Sequence, residues 1–256
     1  MNHTPMKIRL LILTLLFTGF SVSYGQDNHK MQPKETEDWS RKPPVVSPGT
    51  KRNPPSDAIV LFNGKNLDRW KKQGSNEPAD WKVKRKKMQV SPPKGGIESR
   101  QKFGDCQLHI EWKTPVQDVK AGKTGQKCGN SGIFLMGLYE VQVLNSFENE
   151  TYYNGMASSI YKQHIPLANA TLKPGKWQSY DIIFTAPTFN SDKTLKSPAY
   201  ITVIHNGILV QNHVEIKGPT TFIGRPSYKY HEAKGPISLQ DHNNKVSYRN
   251  IWIREL

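Results

Sequence analysis

Cysteine is almost missing: Cys106 and Cys128 are the only two in 256 residues. That excludes a disulfide-dense scaffold and a four-cysteine zinc site. The pair could close one disulfide in an oxidising compartment or remain as buried free thiols. Apolar residues are also scarce, at 36%, while 19 Gly and 18 Pro punctuate the chain and argue against a helical bundle. The familiar catalytic signatures are absent, with no GxSxG, HExxH, P-loop or dinucleotide fingerprint, so those enzyme classes recede. The eight His are scattered without ligand spacing, so any metal site has to be assembled by the fold. Acids are outnumbered, 36 Lys and Arg to 21 Asp and Glu, leaving a net +15. An excess of that size puts nucleic acid, an anionic surface or an acidic polymer among the candidate partners.

One apolar run stands out. Leu10 to Phe20 follows the basic Lys7 and Arg9 and precedes the small residues Ser21 to Gly25. This is the pattern of a cleavable signal peptide over 1–25, too short to span a bilayer comfortably. No Cys precedes Cys106, so an N-terminal lipoprotein is not expected. The expectation is a periplasmic or secreted protein without stable membrane insertion. Residues 26–57 carry Pro33, Pro43, Pro44, Pro48, Pro54 and Pro55 without apolar periodicity, which predicts an extended linker. Its charges nearly balance, so most of the positive excess belongs to residues 58–256.

That body reads as all-β. Leu108, Ile110 and Trp112 alternate with Gln107, His109 and Glu111, and Tyr139, Val141 and Val143 alternate with Glu140 and Gln142. Similar alternation covers Tyr180–Phe184, Tyr200–His205, Ile208–Gln211, Ile237–Gln240 and Val246–Arg254, which predicts antiparallel sheets with one buried face. Asn206-Gly207 marks a hairpin, and Asn63-Gly64 a second turn. A short helix is allowed around 152–159, and 186–198 reads as a long loop. Without internal repeats, one sandwich or jelly roll fits better than a propeller. Alternation places Trp112 and Trp252 toward the core. The run Lys82-Val83-Lys84-Arg85-Lys86-Lys87 reads as a solvated face, and it lacks the interleaved aromatics of a nucleic-acid platform. With export, no nucleic-acid partner is expected.

Glu111, Glu140 and Gln142 sit inside strands, opposite apolar stripes. With Asn130-Ser131-Gly132 and Gln240-Asp241-His242 they supply donors, acceptors and carboxylates that suit a polyhydroxylated ligand.

An ordered set of motifs then resembles the 3-keto-disaccharide hydrolase family. It runs from Leu61-Phe62-Asn63-Gly64-Lys65-Asn66-Leu67-Asp68-Arg69-Trp70 through Gly129-Asn130-Ser131-Gly132-Ile133-Phe134-Leu135 and Tyr139-Glu140-Val141-Gln142-Val143-Leu144-Asn145-Ser146. It continues through Gly175-Lys176-Trp177 and Ile237-Ser238-Leu239-Gln240-Asp241-His242 to Arg249-Asn250-Ile251-Trp252. Asn145 stands where the family pattern usually has Asp. The resemblance implies a concanavalin A-like jelly roll of two antiparallel sheets, similar to laminarinase-type glycosidases but without their ExDxE strand.

It also implies a carbohydrate substrate whose C3 hydroxyl a separate oxidoreductase has oxidised to a ketone. The ketone acidifies H2, so a base can remove it, the C1–O bond can break by elimination, and water can complete a net hydrolysis. Glu140 is expected as the base and Glu111 as a second acid/base or orienting group. Asn130, Gln142, Gln240 and His242 are expected to contact hydroxyls or the enolate, with Lys162 and Arg100 as electrostatic candidates. A divalent cation could do the enolate's work instead. The rival readings are a non-catalytic carbohydrate-binding module and a lyase or hydratase that stops part-way.

Overall fold

The alternating stripes become fifteen strands in a computed structural model that describes residues 30–50 and 53–256. The predicted signal peptide lies outside the described residues. The chain divides into two units, Met1–Val45 and Val46–Leu256. In the first, the described residues 30–45 hold one 3-10 turn, Pro33–Thr36, opened by a proline whose missing N–H costs nothing there. The second begins inside the predicted linker: Ser56 donates its N–H to Ser47, and Asp57 accepts from Arg254.

The strands of that unit are β1 (Ile59–Phe62), β2 (Trp70–Lys72), β3 (Lys82–Lys84), β4 (Lys87–Gln89) and β5 (Ile97–Phe103). There follow β6 (Cys106–Lys113), β7 (Ser131–Leu135), β8 (Tyr139–Val143), β9 (Gln178–Thr185) and β10 (Thr188–Phe189). The last are β11 (Leu195–Ser197), β12 (Ala199–His205), β13 (Ile208–Ile216), β14 (Gly235–Leu239) and β15 (Ser247–Glu255). The eight-stranded sheet runs β13-β12-β9-β6-β15-β4-β3, with β1 also on β15, and the five-stranded sheet runs β2-β5-β14-β7-β8. Every named pairing is antiparallel, which makes an all-β jelly-roll sandwich. The only α-helix among the described residues is the single turn Val116–Lys120.

Each sheet turns one stripe inward. Leu108, Ile110 and Trp112 from β6 share a core with Tyr139, Val141 and Val143 from β8 and with Tyr180, Ile182 and Phe184 from β9. Burying each such side chain contributes about 1.5–3 kcal/mol. Tyrosines tie the layers together: Tyr180 donates to the Gln142 carbonyl at 2.9 Å and Tyr248 to Ser131 Oγ at 2.6 Å. Their hydroxyls thus find partners where water cannot reach.

Asn206 (φ 51°) and Gly207 (φ 83°) both adopt the left-handed conformation the β12–β13 hairpin requires. Three local expectations change. Residues 186–198 contain the small β10–β11 hairpin, held by Asn190 and Thr194. The helix allowed at 152–159 reduces to the 3-10 turn Tyr153–Gly155. Trp252 faces outward while Ile251 and Ile253 face the core. The cause is a register shift against β6 between Arg249 and Trp252, with Asn250 at φ 47°, which inverts the alternation downstream. Cys106 and Cys128 are both buried free thiols.

Candidate functional site

Glu140 lies between the core residues Tyr139 and Val141, so its side chain leaves the outer face of the five-stranded sheet. Register puts Glu98, Ser238, Phe134 and Glu140 in one row across β5, β14, β7 and β8. The bridge Val141–Ile160 adds Tyr161 beside Glu140, where the Tyr161 N–H donates to the Glu140 carbonyl. The adjacent row holds Gln240, Gly132, Gln142 and Ser159, with the Gln240 N–H donating to Gly132 and the Gln142 N–H to Ser159.

Glu140 is 4% exposed, and no described residue hydrogen-bonds its carboxylate. Burial alone pushes it up to about 8. Gly132 gives it room: a Cβ at that position would run into the carboxylate and the Phe134 ring. Burial, then the Tyr152 contact and the nearby Glu140, raise the Tyr161 phenol, and its oxygen lies 2.6 Å from that of Tyr152. A phenol held in its protonated form is a proton donor. Ser238 Oγ, Gln240 Oε1 and Ser159 Oγ are buried without a partner among the described residues. Such atoms are costly unless a ligand or water satisfies them.

Lys162 completes the edge. Its ammonium donates to the Phe222 carbonyl at 2.6 Å and stands 4.2 Å from the Phe222 ring centre, 5.7 Å from Tyr152 and 5.8 Å from Tyr161. Phe222, Ile223 and Tyr153 are strongly exposed beside it, an apolar rim suited to the hydrophobic face of a sugar ring.

The other expected residues divide by place. Gln142 and Asn130 share this face but are 1% and 3% exposed, and both bond Gln126. They fasten the 3-10 turn Gly125–Lys127 to the sheet. Gln240 stands beside Gly132, and His242 is exposed in the turn beyond it. Arg100 shares the sheet, but β14 and β7 separate its strand from β8 by about 14 Å in all, and its Nε donates to the Asp68 carbonyl. It can meet only the far end of an extended ligand. Tyr161, Ser238 and Ser159 were not expected. Tyr161 and Ser159 sit in a segment without strand-length alternation, and only the Ser-Ile-Tyr triplet hinted at a pairing.

Glu111 is not brought to Glu140. Its strand belongs to the eight-stranded sheet and it leaves that sheet's outer face, so the whole core lies between the two carboxylates. Local alternation was the same for both and carried no information on which sheet each strand joins.

Glu111 instead accepts from Arg249 and, at 2.9 Å, from Asn250. His109, beside it, contacts Asp181 at 2.7 Å. Burial opposes ionisation of Glu111, yet the adjacent His109, 4.0 Å away, and the bonds from Asn250 and Arg249 outweigh it and hold the carboxyl down at about 2. Burial likewise opposes the imidazolium of His109, but Asp181 and Glu111 lift it to about 9. The Glu111 contribution to stability is complete above its ordinary 4.5 and lost as pH falls through about 2. The His109 contribution is complete below its ordinary 6.5 and lost as pH rises through about 9. Glu111→Gln should therefore lower Tm most between pH 4.5 and 6.5, by roughly 3 °C or more. It should leave turnover within about twofold, because it lies across the sandwich from Glu140. A Tm series across pH, paired with rate measurements, checks both parts.

No group of three or more His, Cys, Asp or Glu among the described residues could hold a metal ion. The donors around Glu140 are hydroxyls and amides, with Glu140 itself the one carboxylate on β8.

This antiparallel two-sheet jelly roll is shared with a glycosyl-hydrolase-like structure, and on that likeness and its family match the chain is a hydrolase-like enzyme. Within that class, the chain is a member of the 3-keto-disaccharide hydrolase family, whose model, described as a 3-keto-alpha-glucoside-1,2-lyase-like domain, matches residues 57–254. A solved structure from Parabacteroides distasonis ATCC 8503, described as a "putative glycosyl hydrolase", is 48% identical, with a TM-score of 0.83 over 88% of this chain and 97% of that one. A second structure from the same organism, described in the same words, is 19% identical with a TM-score of 0.56 over 78% and 94%, and shows the fold alone. No curated protein matches the chain.

Proposed function

We propose that the protein cleaves glycosides of 3-keto sugars with Glu140 as the base that removes H2. The observation that carries this reading is the buried, unpaired Glu140 carboxylate in a row with Tyr161, bordered by three unsatisfied polar oxygens. A carboxylate whose conjugate acid lies near 8 is a far stronger base than an ordinary one, which suits a carbon acid beside a ketone.

In the reaction, Glu140 takes H2 and the C2–H electrons pass into the enolate. The enolate re-forms the C3 ketone as the C1–C2 double bond forms and the C1–O bond breaks. Tyr161 gives its proton to the leaving oxygen. Water then adds to C1, Glu140 returns its proton to C2, and the second water proton restores Tyr161. Ser238 and Gln240, whose buried oxygens lack partners among the described residues, hold sugar hydroxyls in this reading, and the Lys162 ammonium favours negative charge near the edge.

Spacing argues against an ordinary two-carboxylate glycosidase. The nearest acid in the Glu140 row is Glu98, three strand spacings or about 14 Å away, and it is ion-paired with Lys71 at 3.1 Å. Retaining and inverting pairs stand about 5–5.5 Å and about 6.5–9.5 Å apart. The same single base favours a second reading, a lyase that stops after elimination, which the family's description also names. Export and an upstream glycoside 3-oxidoreductase complete the proposal; the leader-like residues 1–25 support the first and the oxidised substrate requires the second.

Incubation with a 3-keto-disaccharide in oxygen-labelled water, with and without chelator, tests it. Label at the anomeric carbon supports hydrolysis. An unlabelled enone identifies the lyase, and binding without turnover sinks the enzymatic reading in favour of a carbohydrate-binding module.

A further inference from the structure

The basic run of residues 82–87 has no part in the Glu140 site, yet the fold organises it. It folds back as the β3–β4 hairpin through Arg85 (φ 54°) and Lys86 (φ 58°). Met88 fills the core, so Lys87 and Gln89 leave the outer face of the eight-stranded sheet together with their cross-strand partners Lys84 and Lys82. Register carries this face inward: Gln89 lies opposite Ser247, and Ser247 opposite Lys113 of β6. Among the described residues, no carboxylate forms an ion pair with Lys82, Lys84, Arg85, Lys87 or Lys113; in this region only Arg249 has one, with Glu111. Burial lowers the Lys87 and Lys113 ammonium groups, with smaller contributions from Lys113 and Arg85 beside Lys87 and from Arg249 beside Lys113.

We propose that this face is a binding site for an acidic polysaccharide, a uronate-bearing glycan chain whose carboxylates lie against the cations of β3, β4 and β6. Three spatial facts select that occupant. The cations extend over three strand spacings, about 14 Å, which one small anion cannot span. Lys82, Lys84, Arg85, Lys87 and Gln89 line a concave cavity of about 230 Å³, which suits a chain of sugar acids better than a flat lipid surface. The neighbouring aromatic ring, Trp177, is taken up by Lys113 at 4.7 Å and the Arg249 guanidinium at 4.1 Å, leaving little platform for nucleic-acid bases. The site lies across the core from Glu140, so a bound polymer would leave the reaction face open.

Binding of the full chain to polygalacturonate, anionic phospholipid vesicles and single-stranded DNA tests the assignment. The expected result is salt-sensitive binding to polygalacturonate, weakened roughly tenfold or more in K82Q/K84Q/K87Q. A control that removes the same charge from exposed sites elsewhere, K120Q/K196Q/K229Q, should bind as the parent does. Turnover of a small 3-keto-disaccharide should not change in either variant, and the binding result stands whether or not that turnover is found. Equal losses in the two variants, preference for vesicles or DNA, or failure to bind polygalacturonate would each overturn the proposal.

Discussion

Glu140→Gln should reduce kcat/KM for a 3-keto-glycoside by at least roughly 10³-fold while the fold survives. The amide keeps the shape of the carboxyl group but cannot accept H2. The wild-type pH profile should carry the same signature. Glu140 is protonated below about 8, so kcat/KM should rise about tenfold per pH unit approaching that value and level off above it. Stability should move the opposite way. The folded protein retains a proton on Glu140 between its ordinary 4.5 and about 8 that the unfolded chain has lost, so stability falls as pH rises across that window. Glu140→Gln escapes the penalty and should melt roughly 5 °C or more above the parent at pH 9, with little difference at pH 4. Retained turnover would refute the role of Glu140. A variant less stable than the parent at pH 9 would refute the unpaired burial.

Gly132→Ala should lower kcat by roughly 100-fold while lowering Tm by only a few degrees. Gly132 does not have a positive φ, so alanine brings no backbone strain, and in a strand interior it is the better residue. What it meets is the Glu140 carboxylate and the Phe134 ring. The carboxylate is the free end of a flexible side chain and moves before the sheet does. A displacement of about 1 Å at a reacting atom is enough for a loss of that size. Full activity in Gly132→Ala would mean that the carboxylate works from another position.

The candidate site was legible only in part. The placement of Glu140 and Gln142 opposite Tyr139, Val141 and Val143 follows from alternation, and the structure keeps it on both faces of β8. The same rule correctly turned Glu111 away from Leu108, Ile110 and Trp112. It then grouped two carboxylates that the sandwich separates, because alternation describes one strand at a time. Tyr161 escaped notice because its pairing with β8 rests on the bridge at Ile160 and not on a strand of its own. Trp252 was turned the wrong way because one residue in the left-handed conformation, Asn250, resets the alternation after it.

What the sequence determined by itself is therefore local: strands of period two, the Asn206-Gly207 hairpin, and which side chains share one face of one strand. These depend on neighbours in the chain and on backbone sterics. Only the tertiary structure decided that β6 and β8 join different sheets, that Gly132 opens a place for the Glu140 carboxylate, and that residues 82–87 fold back onto the opposite face. Each of these depends on pairing between distant segments, where the common core fixes the register and the local pattern is silent.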